Sequence, residues 1–250
     1  DIGLRVNPDI DPKTNRCIDT GQADSKFGIS YEEIIENIDT IKSLENINII
    51  GIHIHIGSQI LDMIDFVALC NRVNELTELF ERRKYPIRSI NVGGGLGIDY
   101  KQPDLHPVPD FRSYFDTYRQ KLLLRPGQQL HFELGRAIMG QCGTLVSRVL
   151  YIKSNPIKNF CIVDAGMTDL IRPALYHAYH KIENITSDAA TEQYDVVGPV
   201  CESSDCFGKA VVLNATKRGD LLAIRSAGAY GEVMSSRYNL RKLAETHFSK

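Results

Sequence analysis

Residues 47–59 read Ile47-Asn48-Ile49-Ile50-Gly51-Ile52-His53-Ile54-His55-Ile56-Gly57-Ser58-Gln59. Isoleucine recurs at 50, 52, 54 and 56, while Gly51, His53 and His55 take the alternate positions. A period of two puts the two sets on opposite faces of one strand, predicted over 47–56. Upstream, a strand stub at 4–6 runs into Asn7-Pro8, and Ser30-Tyr31-Glu32-Glu33 has the S-x-x-E spacing that opens a helix. Downstream, apolar residues at 66, 69, 70, 73, 76 and 80 predict a helix over 62–83, stopped by Pro86. A strand at 87–92, a helix at 111–124 and a strand at 129–133 follow. Strand and helix alternating through short loops predict parallel βαβ units.

The rhythm changes after Gly135. Segments 144–153, 160–164, 194–200, 209–213 and 220–225 are strand-like with little helix between them, the pattern of a mostly antiparallel β domain. The boundary is set near residue 138, giving domains 1–138 and 139–250. A complete (β/α)8 barrel takes about 250 residues and a β domain adds roughly 100 more. The chain has 250 in all, room for about half of such a barrel and the β domain. It starts within a strand, at Asp1 and without methionine. The expected fold is therefore α/β, the C-terminal half of a (β/α)8 barrel followed by a mostly antiparallel β domain, with the N-terminal part missing.

Bulk properties narrow the function. A net charge of -2 without a basic block gives nucleic-acid binding no electrostatic footing. No apolar run reaches the roughly 18 residues of a membrane span, and residues 1–8 do not read as a signal peptide. The six cysteines, at 17, 70, 142, 161, 201 and 206, form no CxxC pair. Zinc ribbons and disulfide frameworks are not expected, and free thiols suit a reducing cytoplasm.

Reactive groups gather where the barrel strands end, the position at which (β/α)8 enzymes place their sites. His53 and His55 share a strand face and read either as polar residues satisfied inside the barrel or as a metal pair. Third and fourth ligands are not evident, so no metal is assigned. Asn91-Val92-Gly93-Gly94-Gly95-Leu96-Gly97 follows the next strand. It is neither a Walker loop nor a dinucleotide loop in register; a nest for a single phosphate, or simply a tight turn, fits it better. Phe132-Glu133-Leu134-Gly135-Arg136 ends the following strand. Its Glu133 and Arg136 read as a salt bridge, or as a carboxylate able to hold a pyridine nitrogen protonated beside an anion-binding guanidinium. The second half offers Asp164-Ala165-Gly166-Met167-Thr168-Asp169-Leu170-Ile171-Arg172-Pro173-Ala174-Leu175-Tyr176-His177, then Gly198-Pro199-Val200-Cys201-Glu202-Ser203-Ser204-Asp205, then Ala227-Gly228-Ala229-Tyr230-Gly231. Singly these are turn chemistry; together they supply a carboxylate-binding fork, a thiol acid, a carboxylate and phenols.

Taken in order, these stretches resemble the fold-type III pyridoxal-phosphate-dependent decarboxylases. Arg5-Val6-Asn7-Pro8, Thr20-Gly21, Ser25-Lys26-Phe27-Gly28 and Ser236-Arg237-Tyr238-Asn239 extend the match over nearly the whole chain. The resemblance implies pyridoxal 5'-phosphate as cofactor, His55 stacked on its ring and Ser58 near its phosphate. It implies the backbone of Gly94 and Gly95, with Gly135, at the phosphate, Glu133 on the ring nitrogen and Arg136 on phosphate or substrate carboxylate. It further implies Arg172 and Tyr176 at the substrate's distal end, Cys201 as proton donor, Glu202 on the distal amino group and Tyr230 at cofactor and substrate. The Cys201–Glu202 loop is expected in the partner subunit's site, hence a cytoplasmic homodimer with shared sites.

Two departures stand out. The family usually has proline where this chain has Leu134, which releases a fixed φ before Arg136. The lysine that bonds the cofactor lies on the family's first barrel strand, and Lys26 does not match its motif, so residues 1–250 alone are expected to be inactive. An arginine fork at 172 suits a substrate with a second carboxylate, meso-diaminopimelate, over ornithine, arginine or carboxynorspermidine. A relative kept only for protein binding is the remaining alternative, and the chemically competent site groups speak against it.

Overall fold

In the computed structural model, which describes residues 1–10, 21 and 25–249, five parallel strands build the first half of the chain. Cys17, and Thr20 of the Thr20-Gly21 pair, lie outside the described residues. The strands are β1 (Ile2–Asn7), β2 (Ile29–Ser30), β3 (Ile49–His53), β4 (Ser89–Asn91) and β5 (Gln129–His131). Their order is β2-β1-β3-β4-β5, and each neighbouring pair is parallel. Helices α1 (Tyr31–Lys42), α2 (Met63–Arg82) and α3 (Phe111–Lys121) follow β2, β3 and β4, and the short α4 (Arg136–Met139) follows β5. This is the architecture of half a (β/α)8 barrel.

Local chemistry sets the helix starts. At α1 the Glu33 N–H donates to Ser30 Oγ and the Ser30 N–H donates to the Glu33 carboxylate, closing both ends of the capping box. At α2 the Asp62 carboxylate accepts from the Ile64 N–H. Phe66, Leu69, Cys70, Val73, Leu76 and Phe80 form the buried face of α2. Ile52, Ile54 and Ile56 are fully buried beneath it with Ile34 and Ile38 of α1, while Ile50 is half-buried. Phe66 meets Tyr114 edge-on at 4.8 Å, and Phe132 meets Tyr118 at 5.1 Å, joining α2, α3 and the end of β5. Such edge contacts add to the area term of burial.

The second half forms β6 (Leu145–Ser154), β7 (Asn159–Val163), α5 (Arg172–Tyr176), β8 (Ile182–Asn184), β9 (Thr191–Val197), β10 (Cys206–Asn214) and β11 (Leu221–Ile224). The sheet order is β10-β9-β7-β6-β11-β8, antiparallel except for the parallel pair β7 and β9. Val149, Cys161, Val163, Tyr194, Val196, Phe207, Leu222 and Ile224 are core residues of this sheet.

The chain divides into two compact units, Asp1–Gly97 with Val108–Ala137, and Ile98–Pro107 with the chain from Ile138 onward. A single cut at 138 assigns 98–107 to the barrel; in the structure that segment belongs to the second unit. Side-chain bonds tie it there: Asp104 pairs with Lys181 and Arg225, and the Gln141 side-chain amide donates to His106 O. The strand pieces β2 and β8 and the five-residue α5 escape sequence reading because two, three or five residues carry no periodicity. Among the described residues, no helix is long and apolar enough to cross a membrane.

Candidate active site

The parallel sheet delivers its polar groups to one edge, the carboxyl ends of adjacent strands. Arg5 lies near the end of β1, His53 ends β3 with His55 two residues on, Asn91 ends β4, and Glu133 lies two residues past β5. Asn91 Nδ2 donates to Glu133 Oε1 at 2.8 Å, and Asn91 Oδ1 accepts from the Gly93 N–H at 2.8 Å. The Glu133 N–H donates to Gly93 O at 2.7 Å. One side chain thus ties the glutamate to the glycine loop.

The Gly94 N–H donates to His55 Nδ1 at 3.2 Å. An N–H can only donate, so Nδ1 carries the lone pair and Nε2 the proton. Burial first, then the positive charge of Arg5 and the neighbouring His53, push His55 down to about 4 from 6.5. His55 is therefore a neutral ring at neutral pH. His53 is lowered as well, by burial, with Glu133 pulling the other way and Arg5 adding to the fall. Its Nε2 is buried without a hydrogen bond, and Glu133 Oε2 stands 3.7 Å away, too far for one. Glu133 is mostly exposed, its side chain 56% accessible, so its second oxygen can meet a ligand.

The glycine loop is backbone packed on backbone. A Cβ on Gly94 would lie 2.3 Å from Glu133 O, and one on Gly95 would lie 2.8 Å from Gly57 O, with Gly95 at φ +101°. The Ile60 N–H donates to Gly95 O at 2.9 Å and the Gly97 N–H to Ile60 O at 2.8 Å, which fastens 57–60 to 93–97. Ser58 Oγ accepts from Arg136 Nη2 at 3.0 Å and Nε at 3.3 Å. Arg136 opens α4 and is buried, and Gly135 before it is exposed. The structure thus brings together His55, Ser58, Gly94, Gly95, Glu133, Gly135 and Arg136. Because the Gly94 N–H is engaged with His55, an anion seated there competes with that bond. A flat ring with a basic nitrogen and one small anion matches this set: a carboxylate, a neutral imidazole, an orphaned buried imidazole nitrogen, a cradle closed to side chains and a guanidinium. Among the described residues, no three or more His, Cys, Asp or Glu side chains are grouped to hold a metal ion.

The second unit holds the remaining groups. Arg172 is the first residue of α5 and is buried; its Nη1 donates to His180 Nε2 at 2.9 Å, and its guanidinium lies 4.8 Å from the Tyr100 ring centroid. Tyr176 closes the same helix, half-buried. Cys201 and Glu202 stand exposed on the turn between β9 and β10, where Tyr238 Oη donates to Glu202 Oε1 at 2.7 Å. The buried Asp205 carboxylate pins the base of that turn, accepting from the Met167 N–H at 2.6 Å and the Val200 N–H at 2.7 Å. Tyr230 is exposed in a third loop at φ 62°. Sequence reading assigns no role to Asn91, His180, Tyr100 or Asp205. Asn91 carried a signal, an Asx residue two positions before a glycine at a strand end; the other three depend on long-range pairing.

The chain matches the family model for the pyridoxal-dependent decarboxylase, C-terminal sheet domain, over residues 38–228, and it belongs to that family. Among curated relatives it is 60% identical over 248 residues to the diaminopimelate decarboxylase of Bacteroides thetaiotaomicron, covering 99% of this chain and 64% of that protein. It is 42% identical over 242 residues to the diaminopimelate decarboxylase of Zymomonas mobilis, covering 97% and 57%. It superposes on the crystal structure of Helicobacter pylori diaminopimelate decarboxylase complexed with L-lysine with a TM-score of 0.84 and 37% identity, covering 97% of this chain and 60% of that one. The chain thus spans 57–64% of the length of these relatives.

Proposed function

We propose that the protein is a pyridoxal-phosphate-dependent carboxy-lyase that converts meso-diaminopimelate to L-lysine in the cytoplasm. The observation that carries this reading is the 60% identity, sustained over 99% of the chain, with a diaminopimelate decarboxylase. The site groups support it independently.

Bound pyridoxal phosphate supplies an electron sink for the pair left behind when carbon dioxide departs. Glu133, oriented by Asn91, holds a proton on the pyridine nitrogen. His55, a neutral imidazole, would lie against the ring. Ser58, Arg136, Gly135 and the backbone at Gly94 and Gly95 hold the phosphate. The Arg172 guanidinium takes the distal carboxylate through two parallel hydrogen bonds, with Tyr176 and Tyr230 beside the substrate and Glu202 on the distal ammonium. The Cys201 thiol delivers a proton to the carbon that has lost its carboxylate. Cys201 and Glu202, on their exposed turn, serve the site of a second copy, which makes the working unit a homodimer. Only the carboxylate next to the cofactor leaves, so L-lysine keeps its other carboxylate and ammonium and still faces Arg172 and Glu202.

The test is turnover by the full-length protein with pyridoxal phosphate. Stoichiometric lysine and carbon dioxide from meso-diaminopimelate are expected, with kcat/KM at least about 100-fold above that for ornithine or arginine; two charge-assisted bonds to a distal carboxylate suffice for that ratio. Equal or faster turnover of ornithine or arginine refutes the substrate, and no decarboxylation of any of them refutes the reading.

A further inference from the structure

We infer that His180 is a positioning residue for Arg172: a neutral imidazole that, together with the Tyr100 ring, fixes the buried guanidinium for a ligand carboxylate. The inference rests on the substrate-binding role proposed above for Arg172.

Hydrogen-bond logic fixes the state of His180. Arg172 Nη1 can only donate, so His180 Nε2 is an acceptor at 2.9 Å; Arg225 O can only accept, so His180 Nδ1 is the donor at 2.9 Å. With Arg172 in place the ring is the Nδ1–H neutral tautomer, because an imidazolium would set N–H against N–H. A neutral acceptor differs from a carboxylate at this position. A carboxylate would take the guanidinium fork and neutralise it. The imidazole orders one arm of the fork without neutralising its charge.

The holders of Arg172 are themselves tied down. His180 precedes β8 by two residues and Arg225 follows β11 by one, and the ladder pairs Ile182 with Ile224. The Arg225 N–H donates to Lys181 O at 2.9 Å, so the bond from His180 to Arg225 O prolongs that ladder. Tyr100 reaches the guanidinium from the segment 98–107, and its ring meets His180 edge-on at 5.1 Å. That segment is fastened to the same two strands. Asp104 accepts from Lys181 Nζ at 2.7 Å and from Arg225 Nη2 at 2.8 Å, and Glu183 binds the same two cations at 2.6 and 2.9 Å. An arginine side chain has rotamer entropy to lose when it is fixed; here ring and imidazole restrict it before a ligand arrives.

The test uses the full-length holoenzyme and two ligands that differ by one carboxylate, L-lysine and cadaverine, with affinities read by calorimetry. His180→Asn keeps an amide donor for Arg225 O and removes the acceptor for Arg172. His180→Gln carries an amide oxygen out to the position of Nε2. The expected result is a loss of lysine affinity of about tenfold in His180→Asn, unchanged cadaverine affinity and cofactor spectrum, a KM for diaminopimelate raised more than kcat is lowered, and recovery of most of the loss in His180→Gln. Tyr100→Leu should show the same selective loss, and it carries the test should His180→Asn not fold. Unchanged lysine affinity, or equal losses for lysine and cadaverine, overturns the inference. Arg172→Met separates the two claims: if it fails to distinguish lysine from cadaverine, the role of Arg172 falls and this inference with it. If it distinguishes them while the His180 and Tyr100 variants do not, only this inference falls.

Discussion

Acidification should cost this protein stability, and His55 should carry a resolvable part of the loss. In the folded chain its imidazole stays unprotonated down to about 4, against 6.5 for the free side chain. Between those values the unfolded chain binds the proton and the folded chain does not. The stabilising difference is therefore fully present above about 6.5, is lost as pH falls through that window, and changes no further below about 4. At about 1.36 kcal/mol per pH unit the whole window corresponds to about 3 kcal/mol; the ring is only half-buried, so solvent screening makes that the upper figure. By about pH 5 the loss should be up to about 2 kcal/mol, while many carboxylates are still ionised. The assay is urea unfolding of the cofactor-free full-length protein and of His55→Phe at about pH 7 and pH 5. The variant keeps an aromatic ring and removes the titration, so carboxylate effects common to both cancel in the comparison. Wild type should lose up to about 2 kcal/mol more than the variant, and the His55 ring protons should titrate near 4 by NMR. Equal losses in the two proteins, or a midpoint near 6.5, would refute the assignment of burial and Arg5 as the causes.

Gly94→Ala should lower stability by about 1–3 kcal/mol and weaken cofactor binding, because its Cβ is placed 2.3 Å from a backbone oxygen that cannot swing away. Thermal unfolding and cofactor titration check this, and no change in either shows that the loop and Glu133 are less closely packed. Cys201→Ala should leave cofactor affinity intact and slow turnover about 10²–10⁴-fold, the usual contribution of a general acid; an unaltered rate shows that another group or water supplies the proton.

How much of this was legible in the sequence depends on the range over which each feature is encoded. The capping box at Ser30 and the apolar stripe of α2 are local and were readable residue by residue. The alternation at 50–56 was readable as a strand, but not that the ladder would stop at His53. The convergence of His55, Gly94 and Glu133 follows from parallel pairing, which the βαβ rhythm implied. The Asn91 contact needs one register between β4 and β5, and periodicity does not supply a register. The allegiance of 98–107 lay beyond sequence reading because it is set by charges far apart in the chain. Asp104 must meet Lys181 and Arg225, and nothing near Asp104 announces either.

That register is itself a functional constraint. The ladder pairs Ile90 with Leu130 and Asn91 with His131, and backbone bonds carry the pairing one step further, from Val92 to His131 O and from Glu133 to Gly93 O. Side chains alternate faces along a strand, so a one-residue slip of β5 against β4 would turn Glu133 to the opposite face and bring Phe132 beside Asn91. The same slip would expose Phe132, which packs edge-on against Tyr118 at 5.1 Å and Phe115 at 5.1 Å. Full burial of an aromatic side chain stabilises by about 1.5–3 kcal/mol; Phe132, partly buried against this cluster, contributes a share of that toward rejecting the wrong register. The aromatic cluster beneath the sheet thus places the carboxylate above it: Phe132 fixes the face, and Asn91 orients the group that the face presents.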